Sequence, residues 1–596
     1  MKKILSLLLA VIIAATVFTA LPITVNAVEN AETAKIGATR GTTGDCRWTL
    51  DDEGTLTISG QGEMDDYADN NKAPWKGEVK NVIIKNGVTN IGEYAFYYAQ
   101  LTSVIIPDSV KSIRESAFEN ANITNITFGN GVTEIGKTAF YFCKGLTSID
   151  IPDSVTSIGT WAIYGCSDLK SITIGSGLTS IGDYAFSCND SLENIVISKN
   201  NKTYDSRDNC NAIINTTKNK LVAGCKSTVI PNSVSSIGKY AFYFCSNLTS
   251  IDIPDSVTSI EESAFEYSGI KKVNFGNGLT DLGDNAFLYC YNLTSVKIPG
   301  SIQKMGSGAF SCCKYLKSAT FGDGIKSTGD ATFSSCESLS SVNLPNSVTS
   351  IGSYTFSDCK SLTSIQLPDS VTIIDDWAFN GCTSLKSIAI PGNVTSIGEG
   401  AFSYCEKLTS VEIPDSVKSI GNQAFYECSI LNSVTIGKGV KSIGDWAFYI
   451  CPKLKQIEIP YNVTSIGEIA FGYTFNKSTY RMIKVNGFTV YGVKGSEAEK
   501  YANDNGFTFV EIEPPATEPT TDEPVVPGIT GDANGDGTID ILDAAAIQKF
   551  SVGKSELSDE QQQLADVNGD GIADILDSAE IQKYAAGKIT EFKKKA

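Results

Sequence analysis

One phrase is written along this chain sixteen times. In Leu248-Thr-Ser-Ile251-Asp252-Ile253-Pro254-Asp-Ser-Val257-Thr-Ser-Ile260 the apolar positions keep fixed offsets and lead into a small residue and a phenylalanine, Ala264-Phe265. With the residue equivalent to Ile260 as marker, copies fall at Ile91, Ile113, Ile135, Ile158, Ile181, Ile237, Ile260, Leu282, Met305, Thr328, Ile351, Ile374, Ile397, Ile420, Ile443 and Ile466. The steps are 22 or 23 residues, apart from a single step of 56. A unit this short cannot bury its apolar side alone, so each coil must stack on its neighbours and the core must grow by repetition. Sixteen coils at about 4.8 Å per rung give a slab roughly 75 Å long.

Within a coil, Leu248, Ile251 and Ile253 alternate with polar Asp252, the period of a strand with one side inward. Pro254 ends that strand, since it cannot donate to the next rung. Val257 and Ile260 turn the apolar side back in, and Phe265 fills the interior from the far wall. Its equivalents, Phe96, Phe118, Phe140, Phe186, Phe242, Phe287 and Phe310 among them, recur too regularly to be a ligand box and read as one core spine. Eleven of the sixteen cysteines, from Cys143 to Cys451, sit three residues after the spine position. Rungs about 4.8 Å apart hold neighbouring Cβ atoms wider than the ~3.5–4.5 Å of a disulfide, which predicts buried free thiols. Cys210 and Cys225 are left open.

The long step holds 33 extra residues. Within it Ala212-Ile213-Ile214-Asn215 and Leu221-Val222-Ala223-Gly224 flank a polar turn, which predicts a protruding hairpin over about 198–229. Both ends of the array read as capped, as an open stack requires. On the N side (28–78), Trp48-Thr-Leu50 and Thr55-Leu-Thr-Ile58 flank a hairpin turn. On the C side (476–510), Gly487 to Gly492 reads as a strand and Ser496 as the N-cap of a helix. The coils between (79–475) resemble the BspA-like subclass of leucine-rich repeats, over Val79 to Phe471. That resemblance implies a β-rich solenoid with a strand wall and a looser wall opposite, used for adhesion and for protein or carbohydrate binding rather than catalysis.

The chain contains no histidine, which removes Ser-His-Asp and Cys-His nucleophiles and every histidine zinc site. A net charge of -19 disfavours nucleic acid and anionic lipid as partners. Lys2 and Lys3, the apolar run Ile4 to Leu21 and Val25-Asn26-Ala27 read as an export leader (1–27) cut after Ala27, with no second apolar span. The expectation is a secreted, extracellular monomer. From 511 to 530 proline, threonine and acid dominate, the composition of an extended linker.

Beyond the linker, Asp532, Asn534, Asp536, Thr538, Asp540 and Asp543 form a twelve-residue loop, repeated 34 residues later as Asp566, Asn568, Asp570, Ile572, Asp574 and Asp577. Oxygen side chains at positions 1, 3, 5, 9 and 12, with glycine at 6 and a backbone carbonyl at 7 (Thr538, Ile572), make a cage for a hard cation, so two calcium ions are expected. The segment before the first loop, Val525 to Thr530, contains Pro527 and Gly528 and cannot supply an EF-hand's leading helix. Loop then helix, twice, with aspartate at position 12, resembles a dockerin of the duplicated type over 531–588, a small all-α module, with 589–596 as a tail. The resemblance implies attachment to the cohesin domain of a scaffold protein, as in cellulosome-type assemblies associated with polysaccharide breakdown. It places the contacts at Ile541, Leu542, Gln548 and Lys549 and at Ile575, Leu576, Gln582 and Lys583. The Ile-Leu pairs stand where small hydroxyl residues are common, and they suit either a partner surface or the module's own core.

For the slab, the expected ligand face is the strand wall, whose outward residues vary from coil to coil: Asp150, Asp252, Asn274, Lys297, Asn343, Gln366, Glu412 and Glu458. A broad polar face of this kind suits a protein or glycan ligand, and a merely solvated spacer is its bland rival. Glu412 and Glu458 occupy one column two coils apart, about 9.6 Å by rung spacing. That separation is open to carboxylate glycoside hydrolysis in principle, although nothing in the sequence marks a pocket around them.

Overall fold

The computed structural model describes residues 40–68, 72–75, 79–514, 530–534, 538–552, 557–568, 572–589 and 592. The leader and linker residues 515–529 lie outside the described residues. The chain divides into two compact units, one ending at Ile512 and the other beginning at Glu513.

Every coil of the first unit has three walls. The strand wall holds four-residue strands such as Ser148–Ile151 and Ser171–Ile174, paired parallel with Ile149 opposite Ile172. The second wall holds two-residue strands such as Ser157–Ile158, and its sheets run through up to seven strands. The third wall is built of turns. There alternate N–H groups donate to the next coil (Phe96 to Ala117 O and Phe118 to Ala139 O, both 2.8 Å) while those between close local turns (Ala117 to Arg114 O). This alternation satisfies the backbone but bends the chain into the left-handed region twice per coil, as at Tyr94 (φ 54°) and Tyr98 (φ 58°). For non-glycine residues that costs about 1 kcal/mol each, offset by the interior those turns enclose.

The spine is as expected. Phe242, Phe265 and Phe287 stack at 4.8 Å between ring centres, and all are buried. Its two ends are closed by other aromatics. Trp75 packs 6.2 Å from Phe96 and donates Nε1 to Ala95 O at 3.0 Å. At the far end the Tyr501 hydroxyl accepts from Phe471 N and donates to Phe471 O, both at 2.8 Å.

The inserted hairpin forms, but it does not protrude. Ala212–Asn215 pairs antiparallel with Lys220–Gly224, and Lys220 and Leu221 pair parallel with Ser236 and Ile237 of the second wall. Ala212, Ile213 and Ile214 are all fully buried. Ile213 packs with the N-terminal coils, whereas Ala212 and Ile214 pack with the C-terminal ones. The segment is therefore a septum between two apolar cores, and its unbroken apolar run is what burial of both faces requires. Gly224 lacks a side chain where the Phe242 ring passes, since a Cβ would lie 2.1 Å from it. On the turn wall the stack closes over the insertion: Tyr184 and Tyr240 stack at 3.7 Å.

The N cap contains the expected hairpin, Cys46–Leu50 with Thr55–Gly60, plus an outer strand Arg40–Thr43. Thr55–Ile58 then pairs parallel with Asn81–Ile84 and continues the strand wall. At the C cap, Thr489–Gly492 and Thr508–Glu511 add two more parallel rungs around helix α1 (Glu497–Asn505), so the stack reaches about twenty turns. Ser496 stands at the N-cap position, but its hydroxyl donates to Val493 O at 2.6 Å instead of capping the helix. A second hairpin, Tyr473–Asn476 with Arg481–Lys484, lies between the last coil and this cap.

The second unit holds α2 (Ile541–Ser551), α3 (Asp559–Ala565) and α4 (Ile575–Ala585). Its small core gathers Ala533, Ala544, Ile547, Ala565, Val567, Ala573 and Ile581. Phe592, in the segment read as a tail, packs against this core with its ring 5.0 Å from Tyr584. Among the described residues no helix is long and apolar enough to cross a membrane.

Candidate calcium loops and ligand face

Helix α2 begins where it does because Asp540, at loop position 9, caps it by accepting from Leu542 N at 2.6 Å. Asp543, at position 12, completes the capping box by accepting from Asp540 N at 2.8 Å. Its other oxygen accepts from Asn534 N at 3.0 Å, which folds the start of the loop onto the helix. The second half repeats this arrangement. Asp574 accepts from Leu576 N at 2.7 Å, and Asp577 accepts from Asp574 N at 3.0 Å and Asn568 N at 3.1 Å.

Both position-12 carboxylates are fully buried, and Asp532 nearly so. Burial pushes the Asp577 carboxyl above the usual carboxylate range; neighbouring Asp566 and Asp574 push the same way, and the backbone N–H groups oppose them. Buried acid beside acid must either take up a proton or be joined by a cation. An all-oxygen, carboxylate-rich donor set fits a hard ion such as calcium. Asp536 and Asp570, expected at position 5, lie outside the described residues, and among the described residues no three carboxylates or thiols converge on one point.

The Ile541-Leu542 and Ile575-Leu576 pairs stand outside the module's core, at 57, 59, 55 and 57 % exposure. Lys549 and Lys583 are exposed as well. The two halves differ in detail. Gln548 Nε2 donates to Ser578 Oγ at 2.9 Å, and Ser578 donates on to Ala544 O at 3.0 Å. In the other half the position equivalent to Ser578 is Ala544, which has no hydroxyl to receive the amide of Gln582. Lys583 pairs with Glu580 at 2.5 Å, where the first half has Ala546.

On the slab, Asp150, Asp252, Asn274, Lys297, Asn343, Gln366, Glu412 and Glu458 are all exposed on the strand wall. The structure brings two of them together: Asn274 Nδ2 donates to Asp252 Oδ1 at 2.5 Å, beside an open groove of about 480 Å³ at the Pro254 corner. Lys297 follows Asn274, and Gln366 follows Asn343, by one coil in the same column; Gln366 sits in a coil without strand pairing, although Ile365 and Leu367 on either side of it point inward. Glu412 lies opposite Thr435 and Glu458 opposite Tyr491, both on a regular exposed surface.

Sequence reasoning missed the cleft between the hairpin Tyr473–Lys484 and the last coils, of about 520 Å³ and lined chiefly by aromatic and aliphatic side chains. Its signal is the run Phe475 to Lys484, which mixes apolar residues with Lys477, Arg481 and Lys484 and contains no acid.

Comparison with known proteins matches residues 89–215, 218–339, 326–430 and 396–491 to the BspA type leucine rich repeat region and residues 530–585 to the dockerin type I domain. Among solved structures, a leucine-rich repeat protein from Eubacterium ventriosum is similar at 26 % identity, covering 66 % of this chain and 95 % of its own, with a TM-score of 0.47. One from Bacteroides ovatus is similar at 25 % identity, covering 76 % and 98 %, with a TM-score of 0.45. A leucine rich cell surface protein from Faecalibacterium prausnitzii is 25 % identical, covering 67 % and 95 %, with a TM-score of 0.30. No curated relative matches. The repeat profile spans more than half of the sequence, and the chain belongs to the BspA-type leucine-rich-repeat family, with a type I dockerin domain at its C-terminal side.

Proposed function

We propose that this is a secreted, non-catalytic binding protein: the strand wall engages a protein or glycan ligand, and the dockerin, folded by two calcium ions, attaches the chain to a cohesin-bearing scaffold of the cellulosome type. The observation that carries the reading is the exposure of Ile541, Leu542, Ile575 and Leu576 beside buried Asp543 and Asp577. Four large apolar side chains left in water by a module with so small a core mark a surface made for a partner. The nearly duplicated surfaces support attachment through either half, with a half-turn exchanging them.

Calorimetry of the full chain against a panel of cohesins tests this. Leu542→Glu with Lys549→Glu is expected to cost only about 0.4 kcal/mol, the RT ln 2 of losing one of two orientations. Adding Leu576→Glu with Lys583→Glu removes the second face and should abolish binding. Equal, additive losses from each half would show one continuous surface instead, and no binding to any cohesin with calcium present would end the attachment reading. For the strand wall, a glycan and protein array probed with wild type and with Asp252→Ala/Asn274→Ala distinguishes a ligand face from a solvated one.

A further inference from the structure

Between successive coils beside the insertion, turn-wall rings hide one another's faces: Trp161, Tyr184 and Tyr240 lie within 25–28° of parallel, while rings within a coil meet edge-on, as Tyr240 and Tyr243 do at 83°. Near the C-terminal end that order breaks. Tyr426 and Tyr449 are inclined at 57°, and Trp446, 41 % exposed, is tilted 43° from Tyr449. Their open faces form one side of the 520 Å³ cleft together with Ile469 and Glu427, and Phe475, Lys477 and Met482 from the hairpin form the other. Phe475 and Met482 are directly opposite in the hairpin register and so project from the same face.

Three further observations concern what could enter. The hairpin strand Arg481–Lys484 pairs only with Tyr473–Asn476 among the described residues, so its other edge is unpaired, and all four of its residues are exposed. Tyr480, Met482 and Ile483 are exposed at 82, 47 and 41 %; Met482 and Ile483 present apolar surface on opposite faces of the strand, and Tyr480 meets the Phe475 ring edge-on at 6.3 Å. From Ile469 to Ser496 the chain carries Lys477, Arg481, Lys484 and Lys494 and not one Asp or Glu, within a molecule of net charge -19. An unpaired edge invites a strand, a cleft lined by Trp, Tyr and Met is the composition of a protein hot spot, and a basic island selects an acidic partner.

We propose that this hairpin and cleft, separate from the strand wall, dock an extended segment of a protein partner that adds as a strand to Arg481–Lys484, seats a large apolar side chain between Trp446 and Phe475, and flanks it with acidic residues. The unpaired edge of Arg481–Lys484, which a peptide backbone can extend and a glycan cannot, argues for a peptide in preference to a glycan.

The test uses the full chain and a phage-displayed library of random peptides. Recovered sequences should share an aromatic or large aliphatic residue with Asp or Glu on both sides. A synthetic peptide of the best clone should bind about tenfold more weakly to Trp446→Ala and to Lys477→Glu, with no change for Lys202→Glu on the distant insertion. Trp446 lies outside the core, so its variant should keep the wild-type melting curve, which separates lost binding from lost fold. A library that yields no peptide, peptides without acidic bias, or affinity undiminished in both variants would overturn the proposal. So would an oligosaccharide array that binds the wild type but not Trp446→Ala.

Discussion

Ten of the eleven thiols of the cysteine ladder donate to the carbonyl of the spine residue one coil earlier, Cys245 beside the insertion being the exception: Cys336 to Phe310 O at 3.2 Å, Cys382 to Phe356 O at 3.1 Å, Cys428 to Phe402 O at 3.3 Å. Where the ladder holds Asn189 instead, its amide donates to Ile163 O at 2.8 Å and does the same work. Burial pushes the Cys336 and Cys359 thiols up, so they stay protonated and able to donate. Cys336→Ala, which deletes the donor and leaves a small void, should cost about 1–2 kcal/mol. Cys336→Ser, which keeps a donor, should cost less in the same urea titration, and equal losses would reduce the thiols to filler. Tyr501→Phe strands both the N–H and the C=O of Phe471 and should cost about 1–3 kcal/mol, read as a lowered unfolding midpoint of the C-terminal coils. The period made the cysteine column and its burial readable from sequence. The hydrogen bond was not readable, because it depends on the depth of a side chain one coil away.

At the scale of elements, strand wall, spine and caps could be read from spacing, and so could both helices that follow the calcium loops. Helix α3 was passed over although Ser558 and Gln561 spell its capping box; a seven-residue helix offers too short an apolar period to stand out. The septum was mistaken for a protrusion because a hairpin signal says that two strands pair and not what covers them. Its adjacent isoleucines make the distinction measurable. Ile213→Ala should loosen the coils before the insertion and Ile214→Ala those after it, each by about 2–5 kcal/mol, with hydrogen exchange rising on the corresponding side. Exchange rising on both sides for either variant would mean one continuous core. In the second unit, chelation should melt α2 and α4 while the slab keeps its circular dichroism, because the ion joins carboxylates that otherwise repel. An identical spectrum with calcium and with chelator would remove the metal assignment.

Across the whole molecule, the division at Ile512 predicts separate unfolding events. Calorimetry should resolve a calcium-dependent transition and a calcium-independent one, and a single transition that moves entirely with calcium would contradict this. The two-unit organisation followed from the composition change at the linker, whereas the cleft at Trp446 lay beyond sequence reasoning, since it needs the hairpin's position against the turns. The aromatics that close the two ends of the spine have a further consequence. Trp75 touches only the first spine ring and Tyr501 only the last, so neither end registers how many coils lie between them. Length is thus an adjustable dimension of this protein, like the span of a ruler cut between identical marks. Excising the coil between Ile374 and Ile397 should return a folded chain shorter by about 5 Å.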